Sequence, residues 1–298
     1  MKSYRDTGLS EISLIATLTR YWQQDASIVK GVGDDCAVLS VTSSGRSRYL
    51  LFKTDAIVED VHFESSTSPR LVGRKAIARV LSDIAAMGGR PWVAVVTLGR
   101  PRGISTSRLK AVYAGMQAMA DKVKLLLVGG ETVTTRQLVL SVAALGWTQR
   151  VIGRAGAKSG DYVYVTGRLG GAMPRRHLTF SPRLAEGQWL ARHGYPTAMM
   201  DISDGLGIDL IRLVLASNVG VRLDEKRIPR FPGVSLHEAM ETGEDYELLF
   251  TVPKSKAKSL ERKWPFSTPL SCIGEMRGRV SETLREWPWK GYDHLRGD

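Results

Sequence analysis

Asp201-Ile202-Ser203-Asp204-Gly205-Leu206 sets two carboxylates and a hydroxyl within four positions, after apolar residues and ahead of a helical pattern. Two kinds of chemistry suit that spacing. Ser203 or Asp204 can cap a helix starting at Gly205, since their oxygens accept its unsatisfied first N–H groups. One cap does not need two aspartates, and a second acid beside apolar residues is costly to bury without a compensating cation. The alternative is a Mg²⁺ site, because hard cations take carboxylate and hydroxyl oxygens.

Acids recur beside glycine, hydroxyl or apolar residues elsewhere in the chain. Gly31-Val32-Gly33-Asp34-Asp35 is a turn followed by a short apolar run suited to a strand. Tyr49 to Asp55 reads as a strand ending in Thr54 and Asp55, and Glu59, Asp60 and His62 follow. His62 by itself reads more readily as a structural hydrogen bonder than as a catalyst. Asp83 lies near the end of a helix expected over Gly73 to Met87, where its charge opposes the helix dipole by about 0.3–1 kcal/mol. Arg79 at i−4 or a bound divalent cation would offset it. Lys124 to Val128 reads as a strand running into Gly129-Gly130-Glu131-Thr132, where glycines let a ligand approach the backbone. Gathered together, Asp34, Asp35, Asp55, Asp83, Glu131, Asp201 and Asp204 would repel one another strongly unless cations were present.

Composition narrows the partners. A chain of 298 residues, 43% hydrophobic and 24% charged, is ordinary for a soluble protein of two domains. No apolar run approaches the ~20 residues of a membrane span, and Met1 to Asp6 lacks a signal-peptide core, so the cytoplasm is expected. Cys36 and Cys272 cannot build a disulfide framework or a four-thiolate site, and the five histidines lack zinc spacing. The net charge is +12, concentrated between Trp147 and Arg192, where eight Lys/Arg face only Asp161 and Glu186. Arg150, Arg154, Lys158, Arg168, Arg175 and Arg176 belong to that stretch. It carries no nucleic-acid-reading motif, which leaves a solvated face or an anionic small molecule.

The elements that must position these residues interleave throughout, giving a mixed α and β protein with two cores. Ser10 to Leu18 reads as an amphipathic helix, Trp92 to Leu98 as a buried strand, Ser107 to Lys122 as a helix and Leu138 to Trp147 as a strand. A domain boundary is expected in the basic segment that follows, dividing the chain into 1–148 and 149–298. Beyond it, Asp161 to Gly167 and Glu244 to Val252 read as strands, and Trp287 to His294 is an aromatic tail that packs on its own domain or stacks on a ligand. There is no G-x-x-x-x-G-K-[ST] loop and no H-R-D or D-F-G motif, so any use of ATP follows another route.

Taken together, the motifs resemble those of bacterial thiamine-monophosphate kinases. Gly31 to Asp35, Thr54-Asp55 with Val61-His62-Phe63, Leu81 to Gly88, Gly129 to Thr132, Asp201 to Leu206, Gly243 to Leu248 and Trp289 to His294 occur in the order of that family. The wider superfamily includes aminoimidazole ribonucleotide synthetase, selenophosphate synthetase and a hydrogenase-maturation protein, all of which use ATP without a P-loop. The resemblance implies Mg²⁺- and ATP-dependent phosphorylation of thiamine monophosphate to thiamine diphosphate by direct in-line transfer. It also implies an N-terminal α/β domain whose mixed sheet forms a homodimer, and a C-terminal α/β sandwich domain. The competing readings are another ATP-using member of the superfamily and a catalytically weakened basic binding protein on the same scaffold.

Carried over by position, the resemblance makes Asp35, Thr54, Asp55, Asp83, Glu131, Asp201 and Asp204 the Mg²⁺ ligands, with Asp83 and Asp204 central to catalysis. It makes Gly130, Arg154 and Ser203 contacts to ATP, and His62, Glu244 and Tyr292 contacts to thiamine monophosphate. Three features depart from the pattern. Glu131 stands where the family has an aspartate. Lys53 stands where the family often has serine, and its ammonium can replace a weakly held metal. The segment from Gly167 to Ser181 is short.

Overall fold

In the computed structural model, the described residues are 11–22, 25–43, 46–172 and 176–292. The first half comprises α1 (Glu11–Leu18), β1 (Ile28–Lys30), β2 (Ala37–Ser43), β3 (Arg46–Val58), α2 (Pro69–Ala86), β4 (Arg90–Pro101), α3 (Thr106–Val123), β5 (Leu126–Thr135) and β6 (Val139–Thr148). The second comprises β7 (Asp161–Thr166), α4 (His177–Thr179), α5 (Leu184–His193), β8 (Ala198–Asp201), α6 (Leu206–Ser217), β9 (Val221–Leu223), α7 (Leu236–Glu241), β10 (Leu248–Pro253), α8 (Lys254–Lys263), β11 (Leu270–Met276) and α9 (Val280–Glu286). Two compact units result: Asp35–Ile152 with Met173–Gly194, and Met1–Asp34 with Gly153–Ala172 and Tyr195–Asp298. No helix among the described residues is long and apolar enough to cross a membrane.

In the unit that begins at Asp35, β2, β3, β6, β4 and β5 lie side by side in that order, with β4 and β5 parallel and the other pairs antiparallel. α2 and α3 cover one face, burying Ile77, Val80, Leu81, Val112 and Met116 against Leu51, Val96, Leu140 and Val142. Along β6 the burial alternates residue by residue, as a sheet packed on one face requires. α2 starts at Pro69, four residues before the expected Gly73. Proline needs no N–H partner at a helix start. Gly73 is a contact point instead: a Cβ there would lie 1.9 Å from the Val112 carbonyl oxygen, and one at Gly115 would lie 2.0 Å from that of Arg70. The two helices therefore touch backbone to backbone.

β5 also departs from expectation. It runs through Gly129, Gly130 and Glu131 as an exposed edge strand, paired with β4 across a register shift at Ala94/Val95. Gly130 has φ +154°, and a Cβ would sit 1.8 Å from the Val96 carbonyl oxygen, so only glycine fits.

The other unit is built on an antiparallel sheet ordered β8-β10-β7-β11-β9. α6 lays Leu206, Leu210, Leu213 and Val214 on it, against Val163, Val165, Met200 and Leu249. β10 starts at Leu248 rather than at Glu244, because Glu244 and Tyr246 have φ of 55° and 52°, which breaks extended backbone. The aromatic tail packs on its own unit: Trp287 and Trp289 lie against this core, and the Trp287 indole N–H donates to the Gly207 carbonyl at 3.1 Å. Ser10, Arg175, Asp293 and His294 lie outside the described residues.

Candidate active site

In the first unit the strand period divides the candidate residues between two faces. Lys53 and Asp55 share the α2-packed face, and the buried Asp83 reaches them from α2. The Lys53 ammonium lies 3.0 Å from Asp83 Oδ1 and 3.9 Å from Asp55 Oδ1. Burial alone would lower the Lys53 pKa, but Asp83 and then Asp55 outweigh it and hold the ammonium above its ordinary range. Asp35, also buried, offers a carboxylate oxygen within 4.8 Å of one from Asp83. The Lys53–Asp83 ion pair offsets the unfavourable helix-end charge of Asp83, and the Arg79 guanidinium donates to the Ala56 carbonyl at 3.2 Å.

Thr54 and Glu131 are not brought to that face by their side chains. The Thr54 hydroxyl lies 3.5 Å from Ser141 Oγ, Ser141 pairs with Thr97, and Thr97 pairs with Glu131, all on the open side of the sheet. His62 follows β3 in a tight turn. Its Nδ1 accepts the Val58 N–H at 3.2 Å. The buried Lys75 ammonium donates to the His62 carbonyl at 2.7 Å and lies 2.7 Å from His177 Nδ1.

In the second unit Asp201 ends β8 in a buried position opposite Leu248. The next residues are tied by backbone hydrogen bonds to two distant segments. Ile202 N–H donates to Glu247 O, Tyr246 N–H to Ile202 O at 2.8 Å, Glu244 N–H to Ser203 O at 2.6 Å and Tyr292 N–H to Asp204 O at 2.9 Å. These bonds gather Asp201, Ser203, Asp204, Glu244 and Tyr292. Within the acidic run after Gly243, Asp245 accepts from Gly170 N–H at 2.9 Å and Glu247 from the Thr166 hydroxyl at 2.8 Å. The Tyr246 hydroxyl donates to Glu244 at 3.2 Å. Arg154 N–H donates to Asp34 at 3.1 Å.

The expected cap is absent. The residue at the cap of α6 is Gly205, at φ 113°, with no side-chain hydrogen bond. The carboxylate that ties down the turn is instead Asp209, fully buried in the first turn of α6. Its Oδ2 accepts from both Ser203 N–H and Asp204 N–H at 3.0 Å, and Arg212 Nη1 donates to its Oδ1 at 2.7 Å. Arg212 also pairs with Asp204. Burial, and then the Asp204 carboxylate, push the Asp209 carboxyl up to about 7. Burial opposes the Arg212 charge as well, yet Asp209 and Asp204 outweigh it.

Comparison with known proteins identifies the family. Residues 33–148 match the family model of the AIR synthase related protein N-terminal domain, and residues 158–285 match that of the C-terminal domain. The chain is 35% identical over 286 residues to a thiamine-monophosphate kinase of Rhodopirellula baltica, covering 91% of this chain and 90% of that protein. The chain belongs to the thiamine-monophosphate kinase family. The enzyme of that name from Escherichia coli K12 is 32% identical over 96% of this chain and 98% of its own. A solved structure of AaThiL complexed with AMPPCP and TMP superposes with a TM-score of 0.81, at 30% identity, covering 96% of this chain and 97% of that one.

The acids of the first unit would suit a hard divalent cation such as Mg²⁺. Asp35, Asp55 and Asp83 supply the hard oxygens Mg²⁺ takes, and the Lys53 ammonium among them marks where positive charge is required. Asp209 and Arg212 were not among the residues the sequence reading selected. The signal was present: an acid in the first helical turn with an arginine three residues on makes a helical ion pair.

Proposed function

We propose that this protein phosphorylates thiamine monophosphate to thiamine diphosphate, with ATP as the phosphoryl donor, by direct in-line transfer. The observation that carries the reading is the likeness, over 96% of the chain, to AaThiL complexed with AMPPCP and TMP. The acceptor is a phosphate oxygen that is already ionised, so no general base is needed, and positioning and charge neutralisation supply the rate. Asp35, Asp55 and Asp83 in one unit, and Asp201 and Asp204 in the other, are the residues we assign to hold Mg²⁺. Thr54 and Glu131 belong to the set only from the open side of the sheet. The bound cation would neutralise charge on the transferring phosphoryl group.

Arg154, Ser203 and Gly130 are assigned to ATP. At Gly130 the absent side chain leaves the backbone of β5 open to close approach. Glu244 is assigned to the cationic thiazolium, with His62 and Tyr292 beside the substrate. His62 is held in place at both its ring and its carbonyl by Val58 and Lys75. We divide the functional domains at 148/149, which the end of the N-terminal family match at 148 supports. We further propose a homodimer through the open sheet face, where Phe52, Val95, Val128 and Val133 stand exposed, and a cytoplasmic location. The test is turnover of thiamine monophosphate with Mg²⁺ and ATP. Wild-type protein should form thiamine diphosphate, and Asp204→Asn or Asp83→Asn should largely abolish it. No turnover by the wild type across a range of Mg²⁺ concentrations refutes the proposal.

A further inference from the structure

The basic stretch noted in the sequence contributes to a cavity that the proposed reaction leaves unused. In the first unit, a pocket of about 620 Å³ opens where β4 begins and β6 ends. Arg48, Arg90, Lys124, Arg150 and Arg192 line it, and none of its lining residues is acidic. Within this set no arginine or lysine is in an ion pair with a described residue. Two indoles share the lining: Trp92 and Trp147 lie with ring centroids 5.4 Å apart at 41°. Strand register sets this juxtaposition, since Arg90 pairs directly with Trp147 and Leu50 pairs with Trp147 from the other side. The loop after β6 is fixed as well. The Thr148 hydroxyl donates to the Arg150 carbonyl at 2.9 Å and accepts the Arg150 N–H at 3.2 Å.

Five like charges around one pocket repel one another, and a polyanion relieves that repulsion. Guanidinium groups match phosphate oxygens in fork geometry. Indole faces stack on a planar heteroaromatic ring. The volume falls within the roughly 300–1,000 Å³ of small-molecule sites. We infer that this pocket is a second, metal-independent binding site for a nucleotide unit, with the base against Trp92 and Trp147 and the phosphates on Arg90, Arg150 and their neighbours. A free nucleotide and one residue of a single strand present the same chemistry. None of the acids assigned to Mg²⁺ and none of the four apolar residues assigned to the dimer face lines it.

Calorimetric titration of the full-length protein in EDTA tests the inference, with ADP, inorganic pyrophosphate and a ten-residue oligothymidylate as separate probes. ADP or the oligonucleotide should bind, and Trp92→Ala and the double variant Arg90→Ala/Arg150→Ala should each weaken it at least tenfold. Trp92→Phe should restore most of the affinity, which separates stacking from a folding defect. Tighter oligonucleotide than ADP binding identifies a strand as the source, and the reverse identifies a free nucleotide. Thiamine monophosphate turnover should be unchanged in Trp92→Ala, so the inference and the kinase reading fail separately. Absence of binding by both ADP and the oligonucleotide overturns the inference. Affinity that ignores both variants, or pyrophosphate binding as tight as ADP binding, overturns it equally.

Discussion

Replacing Asp209 by alanine removes the group that organises the turn carrying Asp201, Ser203 and Asp204. Two N–H groups, on Ser203 and Asp204, lose their acceptor at once. Each buried donor left unsatisfied costs about 1–3 kcal/mol, and water recovers part of this because both residues are half-buried. Arg212 also loses one of its two carboxylates; breaking a buried pair outright costs about 3–5 kcal/mol, and Asp204 limits the loss here. The expected total is about 3–5 kcal/mol, read as a fall in the urea midpoint at unchanged slope. Asp209→Asn keeps a carbonyl oxygen as acceptor for the two N–H groups while removing the charge that faces Arg212. It should therefore lose about half as much. Turnover should fall in Asp209→Ala by about a hundredfold, because small displacements of positioned groups cost on that order. A loss of less than about 1 kcal/mol in Asp209→Ala refutes the assignment of Asp209 as the tie. Asparagine as damaging as alanine shows that its charge, rather than its acceptor role, is what matters.

Two further outcomes can be checked directly. Lys53→Ser removes the ammonium between Asp55 and Asp83; the apo protein should lose about 1–3 kcal/mol in thermal or urea unfolding, while half-saturation by Mg²⁺ in the turnover assay should fall several-fold. Unchanged Mg²⁺ dependence shows that Lys53 does not compete for the metal. Val128→Lys puts a charge on the exposed face of β5 and should convert a dimer to a monomer in light scattering at micromolar concentration. A wild type that is already monomeric removes the dimer from the proposal.

The sequence made the residue types legible wherever function and local pattern coincide. Asp83 on a helix, Asp55 on a strand and Asp201 to Asp204 ahead of a helix were all readable from periodicity and spacing. What escaped was set by contacts distant in sequence. Gly73 resembled a helix start and is a crossing point with α3, which only the Val112 carbonyl of that helix reveals. Glu244 looked like the head of a strand, but it and Tyr246 are both left-handed, which delays β10 to Leu248. Thr54 and Asp55 are adjacent in sequence and face opposite ways, since alternation along a strand is certain only once its core side is known. Asp209 was hidden because its side chain reaches back to amides five and six residues earlier, where the obvious capping residues stood.

β5 ends its sheet as an open edge, and in Leu126 to Thr135 the only charged side chain is Glu131. An edge strand of that composition is a template for adding another chain, and one inward-placed or exposed charge is a common means of blocking it. The longer acidic side chain of Glu131 thus has a duty during synthesis, before any ligand arrives. Neutralising it should lower the yield of soluble protein even where the folded chain tolerates the change.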